Sequence, residues 1–153
     1  MDSPRVLIVG SSGILRPAAA ALAADGAHVI GISLTGGVGS IAVDARDSGA
    51  LLAALDGQTW SEALVYRPAV SEESLAFLRA ATSGRCVVVL TSDDADPAYG
   101  DVAVPDDTLQ LGWHTGDVQP WHSAVDVSDA ALAVLADGAP RILGTIRPWS
   151  TRP

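Results

Sequence analysis

The stretch that decides the fold is Arg5-Val-Leu-Ile-Val-Gly10-Ser-Ser-Gly13-Ile-Leu-Arg16-Pro17. Its four consecutive apolar residues, Val6 to Val9, are typical of a strand that is covered on both faces of a parallel sheet. Gly10 and Gly13 allow a backbone turn to approach a ligand closely with its amides exposed. Pro17 suits the first turn of a helix, where its missing N–H costs nothing. The stretch therefore predicts a buried strand, a glycine-bearing turn and the start of a helix.

The same turn is a candidate anion site. Backbone amides and the positive end of a helix dipole favour a pyrophosphate at such a position. The candidate cofactor-binding residues here are Gly10, Ser11, Ser12, Gly13, Ile14, Leu15 and Arg16. Arg16 stands where a third glycine usually lets the helix pack closely on the strand, and its side chain either contacts an anion or points to solvent. The alternative is a tight turn that the fold keeps without a ligand.

Helical and strand-like segments alternate along the rest of the chain. The pattern predicts helices over 17–24, 47–55, 71–81 and 128–136, and further strands over 28–34, 41–44, 62–66, 85–90, 109–113 and 141–146. The glycine-rich segment 35–40 is too short for the helical crossover that parallel strands usually need. Overall the alternation predicts an α/β fold, a single shortened Rossmann-like domain over 1–153 with a doubly wound, mostly parallel sheet between two helical layers.

Composition excludes several kinds of chemistry. All nine basic residues are arginine, so no side-chain amine is present for a Schiff base or a P-loop. The net charge of −9 disfavours nucleic acid and anionic membranes as partners. Because no apolar run approaches the roughly 18 residues of a membrane span and the sequence opens on a strand, we expect a cytoplasmic protein.

The sequence offers little for metal or thiol chemistry. Cys86, the single cysteine, lies inside a predicted strand, where a packed thiol is more common than a nucleophile. No C-x-x-C or H-E-x-x-H motif and no local cluster of histidine and aspartate is present. The prediction is therefore that no residue binds metal.

Candidate catalytic side chains lie where two predicted strands end, at the edge where ligands enter open α/β sheets. Tyr66 follows the fourth strand and could act as an acid or an oxyanion donor, and Arg67 beside it could bind substrate. Ser92 closes the fifth strand without the partners of a nucleophilic serine, so it is expected to hydrogen-bond a substrate. The alternatives are a half-buried aromatic residue at position 66 and a turn-forming serine at position 92.

Two histidines and two tryptophans bound a loop late in the chain. His114 and His122 are candidates for proton transfer near neutral pH, and Trp113 and Trp121 for stacking on a planar ligand. The alternative is a pair of solvent-facing histidines beside tryptophans that pack in the core.

Three short motifs resemble the short-chain dehydrogenase/reductase superfamily: Gly10-Ser-Ser-Gly13-Ile-Leu, Asp44-Ala-Arg-Asp47 and Val89-Leu-Thr-Ser92. The last third of the chain is also similar to small bacterial proteins labelled as short-chain dehydrogenases without a defined reaction. The resemblance implies that Asp44 and Ala45 line an adenine pocket and that Ser92 faces the active site. It implies NAD or NADP as the cofactor, with no preference indicated.

The sequence also departs from that superfamily. A Tyr-x-x-x-Lys pair is absent, because Val70 follows Tyr66 by four residues and Ala103 follows Tyr99 by four. Ser33 stands where an acidic residue would grip a ribose, so this cofactor-binding candidate could make only neutral hydrogen bonds.

Three functions remain open. The first is an NAD(P)-dependent oxidoreductase that acts on a small carbonyl or alcohol, and the second is a non-redox isomerase or cyclase that uses the loop tryptophans, histidines and Tyr66. The third is a nucleotide-binding module without catalysis. The expected partner is a small-molecule substrate, and a homodimer is the base-rate expectation for assembly.

Overall fold

The computed structural model describes residues 3–37, 39–116 and 119–153. Within these ranges seven strands form one sheet: β1 (Arg5–Val9), β2 (His28–Ser33), β3 (Ser40–Ala42), β4 (Glu62–Tyr66), β5 (Cys86–Leu90), β6 (Thr108–Leu111) and β7 (Arg141–Leu143). Their order is β3-β2-β1-β4-β5-β6-β7, and every neighbouring pair is parallel. The α-helices are α1 (Arg16–Ala24), α2 (Ser48–Leu55), α3 (Glu72–Ala80) and α4 (Ala124–Asp137).

Helices cover both faces of the sheet, because alternate residues of a strand point in opposite directions. Val6 and Ile8 of β1 belong to a core that includes buried residues of α1 and α4. Leu7 and Val9 belong to a second core that includes buried residues of α2 and α3. The expected three-layer, Rossmann-like α/β fold is therefore confirmed, and the sheet is parallel throughout the described strands.

The connection between β2 and β3 contains no helix in its described residues, although the two strands are parallel. Gly36, Gly37 and Gly39 adopt φ values of +70°, +122° and +74°. These left-handed conformations are easy only for glycine. They let the chain return alongside β2 within a few residues. The sequence analysis noted only that segment 35–40 is too short for a helical crossover and did not predict this helix-free connection.

Helix α4 begins earlier than the sequence pattern predicted. The hydroxyl of Ser123 accepts a hydrogen bond from the backbone N–H of Asp126 at 3.1 Å and caps the helix. Because an N-cap serine satisfies a first-turn amide, the helix starts at Ala124 rather than at Ser128. Ser128, expected at the helix start, is instead a buried residue of the second turn.

Cys86 packs in β5 as expected for a strand thiol. Burial raises the pKa of its thiol to about 11, so the reactive thiolate is rare at neutral pH. Among the described residues, none of the helices is both long enough and apolar enough to cross a bilayer.

Candidate functional site

The turn after β1 presents unpaired amides at the start of α1. Gly10 lies at φ +93°, and its N–H donates to the carbonyl oxygen of Ile32 at 2.9 Å. The N–H groups of Ser12, Ile14 and Leu15 donate to no acceptor within the described parts of the chain. Leu15 is fully buried, so the unpaired amides available to an anion at this helix N-terminus are those of Ser12 and Ile14.

Neighbouring side chains hold this turn in place. The hydroxyl of Ser11 lies 3.3 Å from that of Ser40. It also packs against Gly31 so closely that a Cβ on Gly31 would overlap it. The hydroxyl of Ser128 on α4 donates to the carbonyl oxygen of Ile14 at 2.9 Å. The side chain of Ser11 is thus directed to β3 rather than to the cleft described next, so this candidate contributes its main chain.

A cleft of about 380 Å³ runs from this turn across the ends of β2, β3 and β4. Among its lining residues are the expected Gly10, Ser12, Gly13, Ser33, Asp44 and Ala45, together with Tyr66. Thr35, which follows Ser33 at the expected ribose position, also lines it, whereas the sequence analysis missed Leu34, Arg46, Pro68 and Ala69. Each of these follows the carboxyl end of a parallel strand within a few residues, and that position was the available indication.

Two of the cleft residues are engaged in local contacts. Asp44 accepts hydrogen bonds from the side chain of Arg46 at 3.0 and 3.1 Å, and this pairing lowers the pKa of the Asp44 carboxyl. The hydroxyl of Ser33 accepts from the N–H of Gly36 at 3.0 Å and donates to its carbonyl oxygen at 3.3 Å. Ser33 therefore shapes the turn after β2 and has no spare proton for a ribose.

Arg16 does not close the cleft. Its exposed side chain lines a neighbouring groove with Gly36, Gly37 and Ser40. Helix α1 packs through the buried side chains of Leu15 and Ala18 instead of through a third glycine. Leu15 is therefore a core residue beneath the turn rather than a ligand contact.

A second cavity of about 150 Å³ adjoins the cleft at Tyr66, which lines both. Ser92, Trp121 and His122 line it as well. The structure thus brings together four of the candidates from β4, β5 and the late loop. Ile14 also lines it, which connects the cavity to the turn.

Tyr66 packs against the turn, since a Cβ on Gly10 would lie 3.0 Å from that of Tyr66. Burial first, and then the negative charge of Asp93, raise the pKa of the Tyr66 phenol. The phenol is therefore protonated at neutral pH. It can donate a hydrogen bond to an oxygen atom, whereas it is a poor base.

Arg152 reaches Ser92 from the end of the chain. Its Nε donates to the Ser92 hydroxyl at 3.1 Å, and its Nη2 lies 2.5 Å from the Asp93 carboxylate. Its guanidinium carbon lies 5.1 Å from the Trp149 ring centre and 5.9 Å from that of Trp121. Sequence reasoning missed Arg152, because sixty residues separate it from Ser92 and no motif connects them.

Two expected substrate-binding residues, Trp113 and Arg67, lie outside the linings of the cleft and the cavity. Trp113 is fully buried with Ala95 and Ile146, and its indole N–H donates to the hydroxyl of Thr151 at 3.0 Å. A fully buried indole cannot stack on a ligand, so Trp113 is a core residue. Nη1 of Arg67 donates to the carbonyl oxygen of Val70 at 2.7 Å, and among the described residues Arg67 lines neither the cleft nor the cavity.

The two loop histidines lie side by side. Their ring centres are 4.0 Å apart at an interplanar angle of 55°, and the carboxylate of Asp126 joins them. Burial, followed by the proximity of His114, lowers the pKa of His122, while Asp126 opposes this shift. Asp126 was not among the predicted site residues, because the sequence pattern placed the start of this helix at Ser128 and left Asp126 outside it.

Comparison with solved structures agrees with the fold. The chain superimposes on an NmrA double mutant with a TM-score of 0.61 at 14% identity, over 94% of this chain and 67% of that one. An oxidoreductase of the short-chain dehydrogenase/reductase family from Burkholderia thailandensis gives 0.55 at 14% identity, over 93% and 91% of the two chains. A carbonyl reductase from Pseudomonas aeruginosa PAO1 in complex with NADP gives 0.53 at 15% identity, over 98% of each.

No protein-family model matches the sequence, and a search of curated proteins finds no match. At these low identities the structural similarity shows the fold alone: the chain has a Rossmann-like α/β architecture similar to that of these solved proteins.

Proposed function

We propose that this protein binds NAD or NADP at the Gly10–Gly13 turn and catalyses the oxidation or reduction of a small alcohol or carbonyl compound. The observation that carries the proposal is a cleft lined by Gly10, Ser12 and Gly13 of the turn, which ends at Tyr66 beside a cavity lined by Ile14, Ser92 and His122. The NADP complex of the carbonyl reductase with the same fold supports a dinucleotide as the ligand.

The residues present fit such a cofactor. The unpaired amides of Ser12 and Ile14 would bind the pyrophosphate, with the helix dipole of α1 favouring its negative charge. Ala45 and the exposed Leu34 offer apolar surface to an adenine ring. When bound, the nicotinamide would donate or accept the hydride.

In this proposal the small cavity holds the reacting oxygen of the substrate. Its volume of about 150 Å³ favours a small reacting group. Tyr66 and Ser92 supply hydroxyl groups that donate hydrogen bonds to a carbonyl or alkoxide oxygen. His122 has a lowered pKa and is neutral at pH 7, so its imidazole can accept the proton of an alcohol.

The second candidate function is a non-redox isomerase or cyclase on the same scaffold. The observation that favours it is the pKa of Tyr66, which burial and the charge of Asp93 raise, in a chain that contains no lysine. A neutral imidazole and a protonated phenol on one cavity form an acid–base pair that needs no hydride. In this version the turn binds no dinucleotide.

A ligand titration separates the two candidates. Thermal unfolding and tryptophan fluorescence are measured with NADH, NADPH, NAD and NADP. At a concentration of 100 times Kd, binding adds about 2.7 kcal/mol to the free energy of unfolding and raises the melting temperature. Submillimolar binding supports the first function, whereas the absence of any response to the four dinucleotides rejects it in favour of the second.

The redox step is tested with Tyr66→Phe. Oxidation of NADH or NADPH is followed at 340 nm with a panel of small aldehydes and ketones. We expect the wild type to show substrate-dependent oxidation, and the variant to bind the cofactor normally while losing about 100-fold in kcat. Cofactor binding without oxidation of any panel compound would contradict the reductase assignment.

A further inference from the structure

We propose that His114, His122 and Asp126 bind a divalent transition-metal ion such as Zn²⁺. One ligand atom from each of the three side chains lies within 4.8 Å of the others. The three residues also line a common cleft of about 650 Å³. The inference depends on the late loop and the start of α4 and does not require a dinucleotide; with an ion bound, His122 would act as a ligand and not as the base named above.

Backbone contacts bring the two histidines together. The N–H of His114 donates to the carbonyl oxygen of Pro120 at 2.7 Å, which closes the base of the intervening loop. His122 follows Pro120 by two residues. Its ring centre lies 4.0 Å from that of His114. On the other side, the Nε2 edge of the His122 ring lies so close to Gly144 that a Cβ there would overlap it.

The third ligand comes from the helix. Asp126 is in the first turn of α4, and its position is fixed by the bond from its N–H to the cap residue Ser123. A capping box would direct the Asp126 carboxylate back to the N–H of Ser123. No such bond is present among the described residues, so the carboxylate is available to the histidines.

The separation of the ligand atoms is close to that of a metal site. Two ligands at about 2.1 Å from a tetrahedral zinc lie about 3.4 Å from each other. The upper limit of 4.8 Å exceeds this distance modestly. His114 and Asp126 are exposed, so small rotations of their side chains can close the difference without disturbing the core.

The donor set also suits a transition metal. Two imidazoles and one carboxylate are typical ligands of zinc and of non-haem iron, with one or more coordination positions left open. The buried Nε2 of His122 has no hydrogen-bond partner among the described residues, although Leu143 contributes a nearby carbonyl. In metal sites the second ring nitrogen of a histidine ligand commonly faces a backbone carbonyl.

An ion at this site would adjoin the small cavity. His122 and Trp121 line both the 650 Å³ cleft and the 150 Å³ cavity that contains Tyr66 and Ser92. The three protein ligands leave an open position for a water molecule or an oxygen atom of a small molecule. The chemical class of ligand that this site would take is therefore a carboxylate, hydroxyl or carbonyl compound.

The test is a metal titration of the protein without a histidine tag, after treatment with a chelator. Zn²⁺ binding is measured by calorimetry, and Co²⁺ binding by visible absorption, which reports nitrogen and oxygen ligands directly. The ligand variants are His114→Ala and Asp126→Asn. The matched controls are His28→Ala, which removes an exposed histidine of β2, and Asp129→Asn, which removes an exposed carboxylate of α4.

We expect one equivalent of Zn²⁺ to bind with a Kd on the order of micromolar or tighter. Each ligand variant should weaken binding by about 100-fold or more, whereas both controls should bind as the wild type does. Circular dichroism should show that all four variants are folded, because each substitution is at an exposed position. Millimolar affinity in the wild type, or equal loss in the control variants, would overturn the proposal.

Discussion

At the scale of single residues, Gly13 is a glycine that the proposed ligand explains better than the protein's own structure does. Its φ is not in the left-handed region, and the nearest atom that a Cβ would meet is the carbonyl oxygen of Gly10, at an ordinary 3.9 Å. Neither backbone conformation nor protein packing therefore requires glycine here. Gly10, by contrast, is required by its φ of +93° and by the contact with Tyr66.

We expect Gly13→Ala to weaken dinucleotide binding while leaving the fold intact. A methyl group would intrude on the space that a pyrophosphate needs at the amides, so the Kd should rise at least about tenfold, or about 1.4 kcal/mol. The free energy of unfolding should change by less than about 0.5 kcal/mol. Isothermal titration and urea unfolding measure the two quantities, and Gly49→Ala, at an exposed position of α2, is the matched control.

The two loop tryptophans should respond differently to truncation. Trp113→Ala should lower the free energy of unfolding by about 3–5 kcal/mol, because it empties a buried site beside Ala95 and Ile146. Trp121 is 44% exposed, so Trp121→Ala should cost less than about 1 kcal/mol and act on ligand affinity instead. Urea unfolding of both variants checks the contrast, and similar losses of stability would contradict it.

At the scale of elements, α4 supports the turn that receives a ligand. The hydroxyl of Ser128 is fully buried and donates to Ile14, which lies 114 residues earlier in the chain. This hydrogen bond connects α4, late in the chain, to the turn after β1. The pattern of the α4 segment predicted a helix, whereas the bond to the turn required the tertiary structure.

Ser128→Ala should destabilise the protein by about 1–2 kcal/mol, because the carbonyl of Ile14 loses its partner in a buried setting. The same variant should also weaken dinucleotide binding, since the amides of the turn lose a support. Ser150→Ala, at an exposed serine, is the control for the loss of a hydroxyl group. Unchanged unfolding in Ser128→Ala would show that the bond contributes nothing.

At the scale of the whole molecule, the sequence determined the class of fold more clearly than the site. Strand β4 was predicted with its observed ends, because a run of apolar residues between polar ones has clear limits. Helix α4 was placed four residues late, because Ser123 and Ser128 are both plausible caps until the hydrogen bond is known. The roles of Arg152 and Asp126 depend on contacts between distant segments, which residue spacing does not encode.

Other sequence predictions stay predictions. The catalytic roles of Tyr66, Ser92 and His122, the cytoplasmic location, the small-molecule substrate and the homodimer await experiment. The prediction that no residue binds metal was drawn from local motifs. His114, His122 and Asp126 follow no standard zinc spacing, and only the folded loop brings them together.

The stability of the protein should fall in acid. Hydrogen bonds from Arg46 and Arg141 lower the folded-state pKa of Asp44 and Asp137, respectively, from the ordinary value of 3.8. Because the folded pKa is the lower one, the ionised carboxylates stabilise the folded state above pH 3.8, and this contribution is lost as the pH falls further. Both groups are exposed, so the effect is expected to be small.

Urea unfolding at pH 5 and pH 2.5 measures this dependence. In the double variant Arg46→Gln/Arg141→Gln, the two carboxyls lose their partners and the difference between the two pH values should shrink. An equal difference in the variant and the wild type would show that other carboxyls cause the acid effect.

The order of the strands has a mechanical consequence. Within the sheet, the half made of β1 to β3 meets the half made of β4 to β7 along one ladder, which joins Val6–Val9 to Glu62–Val65. Gly10 and Tyr66 lie just past this seam, one on each side of it. A molecule bound in the cleft that both residues line would contact both halves at once, so it would resist their sliding past each other.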